Sequence, residues 1–105
     1  MVEIPVEIKS LLLKYITLLN GNNIPIEQAY LFGSFSKGRG SDLSDIDIAL
    51  VSTVFEGSRI KDRSKIRKIT LSVSSLLEVL PFNPKDFTED NPLVKEIIET
   101  GIRIS

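Results

Sequence analysis

Gly33-Ser34-Phe35-Ser36-Lys37-Gly38-Arg39-Gly40-Ser41-Asp42-Leu43-Ser44-Asp45-Ile46-Asp47 is the run on which the reading of this chain turns. Immediately upstream, Ile26–Phe32 is apolar and partly alternating, with a β-branched start and two aromatics, which predicts a strand running straight into Gly33-Ser34. Phe35–Ser44 is rich in glycine, serine and basic residues, a composition that favours a phosphate-facing loop with room for one short helical turn. From Asp45 to Ser52, Ile46, Ile48 and Leu50 alternate with Asp45, Asp47 and Ala49. That period of two predicts a second strand with an apolar face and an acidic end.

Residues i and i+2 of a strand share a face, with Cα atoms about 6.6 Å apart, so Asp45 and Asp47 project together. Two carboxylates this close repel, and a hard divalent cation relieves the repulsion. Mg²⁺ prefers one or two carboxylates completed by phosphate oxygens and water, so the pair predicts Mg²⁺ with a nucleotide. Gly33 and Ser34 at the mouth of the loop offer close backbone approach, exposed N–H groups and a hydroxyl, which suit a triphosphate, and Lys37 and Arg39 add charge. The loop is not a P-loop, because Arg39-Gly40 stands where Lys and Ser/Thr are required after Gly33 and Gly38. It is not a dinucleotide fingerprint either, since Leu43 replaces the third glycine.

Outward from this centre, Ile8, Leu11, Leu12, Tyr15, Leu18 and Leu19 recur at helical spacing over Val6–Asn20, with Asn20-Gly21 as a stop. Between Ser58 and Leu77, Ile60, Ile66, Ile69, Val73 and Leu76 follow a 3.6 period, interleaved with Arg59, Lys61, Arg63, Lys65, Arg67 and Lys68. A second helix is expected there; its basic face reads first as solvated and second as a surface for a nucleic acid or a partner. Leu77–Pro81 predicts a short strand, and Asn91-Pro92 opens a last helix with Asn as cap and Pro at its first position, ending at Thr100-Gly101. Ile102–Ile104 adds an edge strand, giving the order α-β-loop-β-α-β-α-β. Tyr15 and Tyr30 read as packing residues.

With 105 residues the chain is expected to form a single domain, 1–105, leaving no room for a separate substrate domain. A formal charge of −1 supplies no global field toward nucleic acid or anionic membrane, so any polyanion binding has to be local. Cysteine and histidine are both absent, which removes disulfides, thiolate catalysis, Cys-type zinc sites and the commonest general base. No apolar run approaches the roughly 20 residues of a membrane span, and no leader is seen at the N-terminus, so a cytoplasmic location is expected.

Gly-Ser, ten residues, then Asp-x-Asp resembles the signature of the DNA polymerase β-like nucleotidyltransferase superfamily, and here Gly33-Ser34 and Asp45-Ile46-Asp47 stand at that spacing. The chain looks most similar to the smallest branch, the minimal nucleotidyltransferases. The likeness runs over nearly its whole length, including Asn91-Pro92-Leu93 leading a helix into Gly101-Ile102-Arg103-Ile104. The resemblance implies an α+β nucleotidyltransferase (polymerase β palm-like) fold, a small mixed β-sheet packed against helices. It implies Asp45 and Asp47 as catalytic metal ligands, and a third carboxylate on a later strand that completes the site. Glu78 is the choice for that third group and Asp86 the alternative; the family more often uses aspartate there. Gly33, Ser34, Lys37 and Arg39 are then the nucleotide-binding candidates.

By the same resemblance the activity is Mg²⁺-dependent transfer of a nucleoside monophosphate, AMP from ATP first among them, to a hydroxyl. Such proteins are often paired with a small helical HEPN protein, an RNase toxin, and act as its antitoxin by AMP transfer to a tyrosine. Two other readings stand beside this one: a non-catalytic antitoxin that binds its partner alone, and a nucleotidyltransferase acting on nucleic acid through the basic helix. The edge strand leaves room for homo- or hetero-oligomers.

Overall fold

The computed structural model describes residues 4–33 and 45–105. Helix α1 (Val6–Gly21), strand β1 (Gln28–Phe32), strand β2 (Ile46–Val51), helix α2 (Arg59–Val73), strand β3 (Leu77–Phe82), helix α3 (Pro92–Thr100) and strand β4 (Ile102–Arg103) follow in that order, as the sequence predicts. The strands form one mixed sheet in the order β3-β2-β1-β4. β1 pairs antiparallel with β2 and β4, whereas β2 and β3 are parallel. The parallel pair needs a crossover, and α2 supplies it.

Period-two alternation sorts the strand residues onto two faces. Ala29, Leu31, Ile46, Ile48, Leu50, Leu77 and Val79 face Leu12, Tyr15, Ile16 and Leu19 of α1 and Ile66 of α2. Tyr30, Ala49, Val51 and Phe82 face the other way, onto Phe87 and onto Val94 and Ile97 of α3. With apolar partners on both sides, Ile48, Ala49, Leu50 and Val51 are all fully buried, and each large aliphatic among them contributes about 1.5–3 kcal/mol. The fold is therefore α+β, a small mixed sheet covered by helices. Among the described residues no helix is long and apolar enough to cross a membrane.

Local chemistry sets the boundaries. Asn20 Oδ1 accepts from the Ile26 N–H at 2.9 Å, and Asn23 takes a positive φ of 65°, so the chain reverses after α1 as the Asn20-Gly21 stop implies. β1 starts at Gln28, not Ile26, because its ladder partner Val51 is the last residue of β2. Ser58 caps α2 through Lys61 N, and Asn91 caps α3 through Leu93 N with Pro92 at the first position.

Two expectations for α2 are corrected. The helix ends at Val73 instead of Leu77, because Ser74 turns extended, its hydroxyl accepts from Leu76 N, and Leu76 O accepts from Ile46 N at 2.8 Å. Sheet pairing has claimed residues whose spacing suited the helix. Ile60, which the period groups with Ile66 in one apolar series, is 82% exposed.

The connection from β2 to α2 is held by Asp62, fully buried, which accepts from Glu56 N at 2.8 Å and Gly57 N at 3.0 Å. At the β3 edge, the bonds from Ile46 N to Leu76 O and from Ser52 N to Phe82 O turn the peptide groups of even-numbered residues toward β2. Pro81 therefore faces outward, where its missing N–H costs no ladder bond and blunts the edge.

Candidate active site

β1 and β2 bring the two ends of the Gly-Ser to Asp-x-Asp run together. In the antiparallel register Phe32 lies opposite Asp47, so Gly33 emerges beside the acidic end of β2. Gly33 has φ +73°, and a Cβ built on it would overlap a carboxylate oxygen of Asp47 and lie 3.1 Å from Asp47 Cγ. Only glycine meets both demands, a left-handed backbone and the close approach of a carboxylate.

Asp47 lies on the α3 side of the sheet, the face of Ala49 and Val51, and is partly buried. The parallel register sets Glu78 of β3 directly beside it, with Cα atoms about one inter-strand spacing, roughly 4.8 Å, apart. Asp45, exposed, precedes β2. Partial burial pushes the Asp47 carboxyl above its ordinary range, and the negative charges of Asp45 and Glu78 push it further. The three carboxylates of the sequence reading thus share one corner of the sheet, where Asp45 and Glu78 both act on Asp47.

Asp86, the alternative third carboxylate, is not brought there. It follows β3 in a turn, its N–H bonded to Asn83 O at 2.9 Å, and its Oδ2 lies 3.0 Å from where a Cβ on Gly57 would stand. Gly57 lies past the C-terminal end of β2, so the length of that strand separates Asp86 from Asp45. Ser34, Lys37 and Arg39, with the rest of the loop through Ser44, lie outside the described residues.

Residues 14–105 match the family model described as polymerase beta, nucleotidyltransferase. The chain belongs to the polymerase β-like nucleotidyltransferase family. Solved structures carry the same fold. A candidate nucleotidyltransferase from Sulfolobus solfataricus superposes with a TM-score of 0.63 at 17% identity, over 93% of this chain and 79% of that one. A toxin-antitoxin structure with AMP-PNP superposes with a TM-score of 0.61 at 21% identity, over 92% of this chain and 72% of that one. No curated protein matches the chain.

Polymerase β-like nucleotidyltransferases generally use divalent metals. The donor chemistry of this nucleotidyltransferase fits such an ion at Asp45 and Asp47: both offer hard oxygens, and a cation would relieve both the burial of the Asp47 carboxylate, the larger cause of its raised proton affinity, and the repulsion from Asp45 and Glu78. Glu78 fits less directly. Its Oε2 accepts from Arg63 Nη2 at 3.2 Å, and both side chains are about half exposed. Among the described residues no three acidic side chains already converge closely enough to hold a metal.

Arg63 is the site neighbour that sequence reasoning did not single out. It sits among six basic residues on α2, where a solvated face was the first expectation, and it packs on the opposite side of the sheet from Glu78. The exposed β3 edge lets its long side chain come around to the carboxylate. Fifteen residues of separation gave the sequence no signal for the pair.

Proposed function

We propose that this nucleotidyltransferase is Mg²⁺-dependent and moves AMP from ATP to a hydroxyl on a partner protein, acting as the antitoxin of a HEPN-type toxin pair. The observation that carries the reading is the contact between Gly33 and Asp47, with Asp45 and Glu78 close enough to raise Asp47. A glycine with no room for a side chain, pressed on a carboxylate where negative charge accumulates, suits a triphosphate arriving with its cation. The toxin-antitoxin relative bound to AMP-PNP supports both the nucleotide and a protein partner.

In this reading Asp45 and Asp47 hold Mg²⁺, which when bound neutralises phosphate charge as it builds during in-line displacement. Gly33 lets the triphosphate approach the backbone, and Ser34, Lys37 and Arg39 contribute a hydroxyl and positive charge. The acceptor oxygen forms its bond to the α-phosphorus as the bond to the β-phosphate bridging oxygen breaks, and pyrophosphate departs. Glu78 takes the acceptor's proton once Arg63 no longer engages it.

The test incubates the protein with Mg²⁺, α-labelled ATP and the product of the neighbouring reading frame. Label moves to the partner with the wild type and not with Asp45→Asn or Asp47→Asn, each of which lowers transfer by at least about 100-fold. Equal neutralisation of the partner by wild type and both variants, with no label on the partner, rejects catalysis. That result would favour a second reading, a non-catalytic antitoxin, which the engagement of Glu78 by Arg63 supports.

A further inference from the structure

α2 carries a second stripe, unrelated to the one it buries. Ile66 and Asp62 face the interior, while Ile60, Arg63, Arg67 and Leu71 recur at i, i+3, i+7 and i+11 on an outward face. With Leu77 of β3 they line a groove of about 360 Å³ along the β3 edge. Ile60 and Leu71, the two ends of the stripe, are 82% and 55% exposed. Three turns of helix separate them, about 16 Å.

The chemistry of the stripe selects its occupant. α2 bears six basic side chains, and its one acid, Asp62, is buried, so this surface is positive on a chain whose formal charge is −1. Arg67 has no carboxylate at ion-pair distance among the described residues. A polyanion alone would satisfy the arginines but leave Ile60 and Leu71 in water, and the groove has no aromatic ring on which a base would stack. An extended strand is a poor fit, because Pro81 removes an outward donor from the β3 edge. A second copy fits badly too: α3, which holds Glu96 and Glu99, is nine residues long and shorter than the stripe, and α1, which is long enough and exposes Val6 and Leu13, carries Lys9 and Lys14 against a single acid, Glu7. Aliphatic anchors at both ends with cations between suit a helix that carries aliphatic residues at the same spacing and carboxylates between them.

We propose that this groove docks an acidic amphipathic helix of the acceptor protein. The groove adjoins the site through Arg63, which lines it and also contacts Glu78, itself in register with Asp47. A helix seated there lies next to the candidate metal ligands, and a hydroxyl at its end or in the following loop is presented to them. The inference rests on the transferase reading for calling the occupant an acceptor; the groove's preference for an acidic helix does not.

The experiment follows backbone amide resonances of the full chain during titration with a synthetic helix of about 20 residues. The helix bears two leucines at the Ile60–Leu71 spacing with glutamates between; a counterpart with lysines for the glutamates and a single-stranded oligouridylate are the other probes. The acidic helix is expected to shift Ile60, Arg67 and Leu71, and Ile60→Asp or Arg67→Glu should weaken it about tenfold or more. Absence of shifts, equal binding of the lysine helix, or shifts centred elsewhere would overturn the proposal. So would the oligouridylate filling the same stripe, or the stripe shifting with protein concentration alone, which would mark a second copy. Titrating Mg²⁺ and ATP separately and watching Ile46–Ile48 keeps the two readings apart. Peptide binding without nucleotide binding removes the transferase reading, and the reverse removes the groove.

Discussion

Replacing Gly33 with alanine tests the geometry at its narrowest point. The left-handed backbone, φ +73°, costs an L-residue roughly 1–2 kcal/mol. The new methyl would also overlap the Asp47 carboxylate and lie 3.3 Å from Asp47 Cβ, so the carboxylate has to leave its rotamer, at about another 1 kcal/mol. A total of roughly 2–3 kcal/mol leaves a domain of ordinary stability folded. Displacing Asp47 by about 1 Å, however, is enough to lower transfer about 100-fold. Gly57→Ala is the matched control: φ is +95°, but the new Cβ meets only the flexible Oδ2 of Asp86 at 3.0 Å, at the other end of β2. Urea denaturation should show both variants destabilised, and only Gly33→Ala should lose Mg²⁺ binding and transfer from labelled ATP. A folded Gly33→Ala with wild-type metal affinity and turnover would refute the claim that this contact sets the site.

Other consequences are checked in the same preparations. Tyr15 is fully buried and shares a 2.6 Å hydrogen bond with Thr70, and burial pushes its phenol up from 10.0 to about 12 against the opposing effect of that bond. Between those pH values the unfolded chain loses a proton that the folded chain keeps. The stabilisation is therefore complete below pH 10 and falls away by pH 12, by up to about 3 kcal/mol; chemical denaturation should show this slope in wild type and lose it in Tyr15→Phe. Asp62→Ala strands the Glu56 and Gly57 N–H groups and should cost about 2–4 kcal/mol by urea denaturation, while Asp62→Asn, with one acceptor oxygen, should cost less. Arg63→Met should alter stability by under about 1 kcal/mol, since the pair is half exposed. It should tighten Mg²⁺ binding by calorimetry, because Glu78 is left without its cation; unchanged or weaker binding would remove Glu78 from the metal site.

Alternation legibly placed Asp45 and Asp47 at one strand end, because a pleated strand dictates side-chain direction from local sequence, whereas Glu78 on the neighbouring strand came from the family resemblance, with Asp86 left beside it. That Gly33 and Asp47 meet was implied by the family spacing; the antiparallel return of β1 and β2 is what the structure adds. Spacing did not reveal that the return is so close that a methyl has no room, because that distance is set by the Phe32–Asp47 register. Where the reading failed, a side chain or peptide group suited two partners and distant structure chose between them. Leu76 continued a helical period, but Ile46 N offered its carbonyl a sheet bond. Ile60 belonged to an apolar series, but Ile66 alone of its early members was turned inward, leaving Ile60 on the outward stripe. Glu78 pointed toward Asp47 as its register requires, yet Arg63 came around the β3 edge to pair with it. Local pattern fixes where a group is aimed, whereas the group that answers it is decided by competition among residues far apart in the chain. In the proposed reaction a metal ion would enter the same competition, as a rival of Arg63 for Glu78, and Arg63→Met measures that rivalry directly.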